Sequence, residues 1–225
     1  MSWRQDSLRF LLGRRRKTAA DLRGGVVAIG QAGSESDIAV TVGLKELGLS
    51  RNDVVIKDFS ETRRQVEALR SGEAKATMLS EPSTSAAREA GVNVLLDLAA
   101  EKIPWLFTGI AVQHGAIATH RDEFKRFLKA TIEGTYLAFA DEKGAKEILA
   151  KELKLADPKI LDISYRDFRN QTPLNADLSP QGAANTLAQF PGISQRLGDY
   201  VDASLLDEIK QEGFLTAMAR KYNLH

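Results

Sequence analysis

The 225-residue chain contains no cysteine. Disulfides, thiolate metal sites and a cysteine nucleophile are therefore excluded, while an oxidising and a reducing compartment remain equally compatible. No apolar run approaches the ~20 residues a membrane-spanning helix requires. Histidine is scarce: His114 and His120 stand six residues apart with no third metal-type ligand placed between them, which is not the spacing of a zinc site, and no metal or cofactor is expected. A formal charge of +1 gives no strong overall field of either sign. It conceals an asymmetry, because residues 1–17 carry +5 and the remainder about −4. The run Arg14-Arg15-Arg16-Lys17 has no interleaved aromatic residues for base stacking, so it reads as a solvated segment and no nucleic-acid partner is expected. The preceding apolar centre, Leu8-Arg9-Phe10-Leu11-Leu12, is short and carries an arginine, unlike a secretion signal.

What is present begins with Val26-Val27-Ala28-Ile29-Gly30-Gln31-Ala32-Gly33-Ser34-Glu35-Ser36-Asp37, a buried strand, a small-residue turn and a helix start. The first amides of such a helix have no intrahelical partner and can hold an anionic or polar group. The glycine pattern is Gly30-x-x-Gly33 with no following lysine, which supports neither a dinucleotide site nor a phosphate loop. A purely structural alternative stands beside the binding reading: Ser34 as N-cap, Asp37 at the third position of a capping-box variant, and Gly33 permitting the turn.

Further along, residues 36–47 read as a helix stopped by Gly48. Residues 53–59 read as a strand, and Ser60 as the cap of a helix running to Gly72. Residues 74–80 form a third strand, Glu81-Pro82 opens a short helix ending at Gly91, and 92–98 form a fourth strand. This alternation predicts an α/β unit with a mostly parallel sheet, whose ligand would lie beyond the carboxyl ends of its strands. Those ends are residues 30–36, 58–61 and 80–82. Beyond residue 100 the pattern changes: one strand candidate at 106–112, then helices. Thr119 with Asp122 reads as the cap of a long helix ending near Gly144, Asp141-Glu142-Lys143 as a solvated helix end, and further helices span 145–155 and 158–170 and start at Pro180 and Ser204. One strand and five helices leave this half without a sheet to cover.

The sequence resembles the substrate-binding proteins of ABC importers for nitrate, sulfonates and taurine, and their thiamine-precursor-binding relatives. The resemblance rests on Thr18-Ala19-Ala20-Asp21-Leu22-Arg23-Gly24, Gly33-Ser34-Glu35-Ser36-Asp37 and Ala68-Leu69-Arg70-Ser71-Gly72-Glu73-Ala74-Lys75-Ala76. It also rests on Leu79-Ser80-Glu81-Pro82, Tyr200-Val201-Asp202 and Glu212-Gly213-Phe214. It implies a type II periplasmic-binding-protein-like fold, two lobes closing on a ligand between them. Residues 1–17 would hold the basic segment and a hinge strand near 8–12. Residues 18–98 would be the ligand-binding lobe, with a second hinge strand near 95–98, and 99–225 the mainly helical part of the other lobe. Set against that family, the chain starts after the β-α-β-α segment that begins the first lobe, which accounts for the missing sheet and suggests self-association through the incomplete lobe.

The implied function is non-catalytic capture of a small organic or oxyanion solute, with an ABC permease as partner and an extracytoplasmic location. A ligand-sensing regulatory domain of the same fold is the alternative. A thiamine-precursor enzyme resembles a cysteine-rich iron-binding pattern that a cysteine-free chain cannot supply, and no nucleophile motif is recognisable. Candidate ligand contacts are Gln31, Gly33, Ser34, Ser36 and Asp37 in the first turn, with Ser80 and Glu81 after the third strand. A helix-capping role for Ser80-Glu81 is open. Trp105 and Thr108, with Phe107 and Gly109, are candidates from the crossing segment, and a core role for Trp105 and Phe107 is the stronger alternative. Glu35 and Asp37 would repel an anion unless turned away or paired with a cation, which favours a neutral, amine-bearing or zwitterionic ligand over a bare oxyanion.

Overall fold

The computed structural model describes residues 2–4, 8–13, 18–98, 104, 108–113, 115–190 and 192–224. They form two compact units, residues 6–103 and residues 1–5 with 104–225. The first strand, β1 (Ser2–Arg4), belongs to the second of these, the helical unit.

The sheet unit contains β2 (Arg9–Leu12), β3 (Val26–Ile29), α1 (Glu35–Glu46), β4 (Val55–Asp58), α2 (Thr62–Ser71), β5 (Ala76–Leu79), α3 (Ser83–Glu89) and β6 (Asn93–Asp97). Its strand order is β4-β3-β5-β2-β6. β3 pairs parallel with β4 and β5, while β2 runs antiparallel between β5 and β6. Four of the five strands therefore point one way, as the β-α alternation requires, and β2 is the exception. The segment expected as a hinge strand near 8–12 is β2, and the one expected near 95–98 overlaps β6, which pairs with it.

Alternation sorts the side chains to the two faces. Phe10 and Met78 are register partners on one face, where Gly43 of α1 lies so close that a Cβ there would come within 2.7 Å of the Phe10 ring and 2.8 Å of Met78 Cε. Leu11, Ala28 and Leu79 turn to the other face and pack with Ala68 and Leu69 of α2 and Ala87 of α3. Both faces of the central strands are thus covered, and burying Phe10 alone contributes about 1.5–3 kcal/mol. α2 ends at Gly72, whose φ of 84° is a left-handed conformation that favours glycine.

One local reading changes here. Ser60 does not cap α2: it sits at φ 57° and its amide donates to Asp58 Oδ1 at 2.7 Å, while Glu61 is the N-cap and makes no side-chain capping bond. An Asx-type turn at the end of β4 outcompetes the serine cap.

The helical unit pairs β1 with β7 (Thr108–Gly109) and continues through α4 (Ala116–Thr119), α5 (Arg121–Ala140), α6 (Glu142–Glu152), α7 (Pro158–Gln171), α8 (Pro180–Leu187), α9 (Ser204–Gln211) and α10 (Phe214–Tyr222). Its core joins Leu128, Ile132 and Tyr136 of α5 to Leu205, Leu206 and Ile209 of α9 and Met218 of α10. The strand expected over 106–112 covers only 108–109 among the described residues. Thr119 does not open the long helix: its hydroxyl bonds the Ala116 carbonyl, and His120 precedes α5 as N-cap. That helix stops at Ala140 because Asp141 caps α6, accepting from the Gly144 amide at 2.9 Å. Asp141-Glu142-Lys143 is thus a helix start rather than a helix end. Gly213, at φ 73°, splits the last helix into α9 and α10. Ion pairs run up the α5–α9 contact, where hydrogen bonds from Arg121 and then Lys125 hold the Glu208 carboxyl below its ordinary range.

Candidate functional site

Because β3, β4 and β5 are adjacent and parallel, their carboxyl ends open on the same edge of the sheet. A pocket of about 260 Å³ lies there. Gly30, Gln31, Ser34, Glu35 and Ser36 line it after β3, Ser60, Thr62 and Gln65 after β4, and Ser80 and Ser83 after β5. Leu8, Met78 and Leu79 supply its apolar part. Among the described residues Glu35 is the charged one in the lining, and it is not without a partner of its own.

Within the first turn, counting protons separates the two serines. Ser34 Oγ accepts from the amides of Gln31 and Asp37, each at 3.4 Å, and stands 3.1 Å from Ser36 Oγ. Both of its lone pairs are engaged, so its proton goes to Ser36. Ser36 Oγ also accepts from the Gly30 amide at 2.9 Å, which leaves the Ser36 proton available to the pocket. The hydroxyls of Thr62, Ser80 and Ser83 have no protein hydrogen-bond partner among the described residues. α2 adds the amides of an N-terminus that no N-cap side chain closes. Neutral donors therefore predominate, on three sides of one small volume.

The sequence-derived candidates divide accordingly. Gln31, Ser34, Ser36 and Ser80 line the pocket. Gly33 and Asp37 stand behind it: the Gly33 amide donates to Asp37 Oδ2 at 2.8 Å, and Arg51 Nη1 donates to Asp37 Oδ1 at 2.5 Å. Asp37 is thus both bonded to the turn and paired with a cation, which removes the repulsion its charge would exert on an anion. Glu81 is outside the described lining too, accepting from Arg9 Nη1 at 2.9 Å and from the Ser85 amide at 3.1 Å. Thr108 begins β7 in the helical unit, and Gly109 follows it. Trp105, Phe107, His114 and the run 14–17 lie outside the described residues. His120 is exposed, with Nδ1 3.4 Å from Glu123 Oε2. Among the described residues no three His, Asp or Glu side chains form a metal-type cluster, and no helix is long and apolar enough to cross a membrane.

Thr62, Gln65 and Ser83 line the pocket without having been candidates, and Gln65 is the buried one among them. It had a signal: Gln65, Ala68 and Leu69 follow the i, i+3, i+4 spacing of the buried face of α2, so a polar amide occupies an inward position. The helical unit has a cavity of a different kind, about 300 Å³ and largely apolar, lined by Ile110, Phe124, Phe127, Leu128 and Leu206 among others. Its chemistry offers few donors to a polar solute.

No protein-family model matches the sequence, and a comparison with curated proteins finds no match. Solved structures do match. A protein of Bordetella bronchiseptica aligns at TM-score 0.74 with 18% identity, over 95% of this chain and 73% of that one. The periplasmic aliphatic sulphonate binding protein SsuA of Escherichia coli aligns at TM-score 0.63 with 21% identity, over 92% of this chain and 61% of that one. The desulfurization enzyme DSZB aligns at TM-score 0.64 with 14% identity, over 94% of this chain and 78% of that one. The chain is thus similar along nearly its whole length to parts of longer proteins, and it has a type II periplasmic-binding-protein-like fold. That fold carries binding proteins and an enzyme alike, so function must be argued from the site.

Proposed function

We propose that this chain, with its type II periplasmic-binding-protein-like fold, captures a small solute bearing an oxyanion group in the pocket at the carboxyl ends of β3, β4 and β5. The observation that carries the reading is the pocket's composition. Hydroxyls from three strand ends and the uncapped α2 N-terminus surround about 260 Å³ with neutral donors, and Glu35, the charged residue of the described lining, has a partner of its own. Backbone and hydroxyl donors at a helix start suit a sulfonate, nitrate or carboxylate, and they bind without transforming it. Likeness to the aliphatic sulphonate binding protein supports sulfonate-type solutes and, with them, an extracytoplasmic importer role with a permease partner.

A thermal-shift screen tests this. Ethanesulfonate, 2-aminoethanesulfonate, nitrate and a thiamine-precursor pyrimidine are added to the intact chain in turn. A true ligand at a hundred times its Kd stabilises the folded state by about 2.7 kcal/mol, a plainly visible upward shift in Tm. A flat response to the whole panel contradicts the reading.

A further inference from the structure

We propose that Gln65 reads a hydrogen-bond donor on the bound solute, an inference that rests on the solute-binding reading of the same pocket. Gln65 is 3% exposed and lines the pocket. One end of its amide meets Thr77, and the other has no protein partner among the described residues. That outer end lies beside Gly30, where a Cβ would stand 3.5 Å from it and 3.2 Å from Ser36 Oγ.

The Thr77 hydroxyl decides which atom faces outward. Thr77 is fully buried, and its Oγ1 lies 2.9 Å from the Ala28 carbonyl oxygen and 2.8 Å from Gln65 Oε1. A hydroxyl has one proton, and both of these oxygens can only accept. In that orientation one of the two short contacts is a bare oxygen–oxygen approach in a buried site. A half-turn of the amide keeps its shape and exchanges its ends. Thr77 then donates to Ala28 and accepts from the Gln65 NH2 group, so both contacts become hydrogen bonds. The half-turn also brings Oε1 to the pocket face. An amide carbonyl acceptor then faces the pocket, and a solute that displaces the water there without offering a donor leaves it unpaired. The pocket therefore selects solutes that carry an ammonium or hydroxyl donor alongside the oxyanion.

The test is titration calorimetry with two matched pairs, 2-aminoethanesulfonate against ethanesulfonate and glycine against acetate. The wild-type chain is expected to prefer the amine-bearing member of the pair it binds by about tenfold or more. Gln65→Met, which keeps the length and removes the amide, is expected to bring the ratio near one. Gln65→Glu, which keeps an acceptor at the pocket while setting an oxygen in place of the NH2 group against Thr77, is expected to retain the preference at a lower Tm. Equal wild-type affinities within the pair, or a Gln65→Met variant that keeps the wild-type ratio, overturn the role of Gln65 and leave solute binding standing. A wild type that binds no member of either pair contradicts both.

Discussion

Arg9→Leu is expected to destabilise the sheet unit by about 3–5 kcal/mol, the cost of breaking a buried ion pair from one side. Arg9 donates through Nη1 to Glu81 Oε1 at 2.9 Å and through Nε to Asp97 Oδ2 at 2.7 Å, with side-chain exposures of 13% for Arg9 and 4% for Glu81. β2 lies between β5 and β6, with Arg9 in register with Leu79 and Asp97, so one guanidinium ties three neighbouring strands together at one end. Removing it leaves Glu81 buried with the Ser85 amide as its remaining hydrogen bond. Since a domain's whole stability is about 5–15 kcal/mol, this is a large share of it. Urea denaturation followed by far-ultraviolet circular dichroism should show the midpoint falling by about 2 M, given slopes of about 1–3 kcal/mol per M. Adding Glu81→Gln to Arg9→Leu should recover part of the loss by removing the orphaned charge. Arg63→Ala, which breaks the exposed pair with Glu67, should cost under about 1 kcal/mol. An Arg9→Leu midpoint equal to that of Arg63→Ala would show that the buried pair does not hold the strands.

The second large effect separates the two serines of the first turn. Ser36→Ala removes the hydroxyl proton that the hydrogen-bond count leaves facing the pocket, and it is expected to weaken solute binding about tenfold or more. Ser34→Ala removes the α1 cap, costing about 1 kcal/mol of stability, with a smaller effect on affinity because the Ser36 proton remains. Calorimetric titration alongside thermal melts distinguishes the two. A Ser34→Ala variant that loses more affinity than Ser36→Ala, at unchanged stability, would reverse the assignment of roles.

Much of this was legible in the sequence because it is written locally. The α/β alternation, the Gly48 and Gly72 stops and the Gly30–Ser36 turn each depend on a few neighbouring residues. Position at the strand ends then follows from parallel pairing, which brings Ser34, Ser36 and Ser80 to one pocket. What local reading misses is partnership across the chain. Asp37 reads in the sequence as a lone carboxylate beside the turn, and its pairing with Arg51, fourteen residues on, is not visible there. Glu81 belongs to Arg9, seventy-two residues away. Gln65 hides for the same reason: its inward face matters only once Thr77 and Gly30 are beside it. Ser60 and Thr119 were misplaced as caps because competing side-chain and backbone partners win at those positions.

The most direct test of the pocket is a two-dimensional 1H–15N spectrum of the intact chain titrated with 2-aminoethanesulfonate. Shift changes are expected at residues 30–36, 60–65 and 80–83, with the side-chain amide of Gln65 among them, and not at the apolar cavity of the helical unit. Changes confined to residues 110–128 and 197–207, or none at saturating solute, would contradict solute capture at the strand ends.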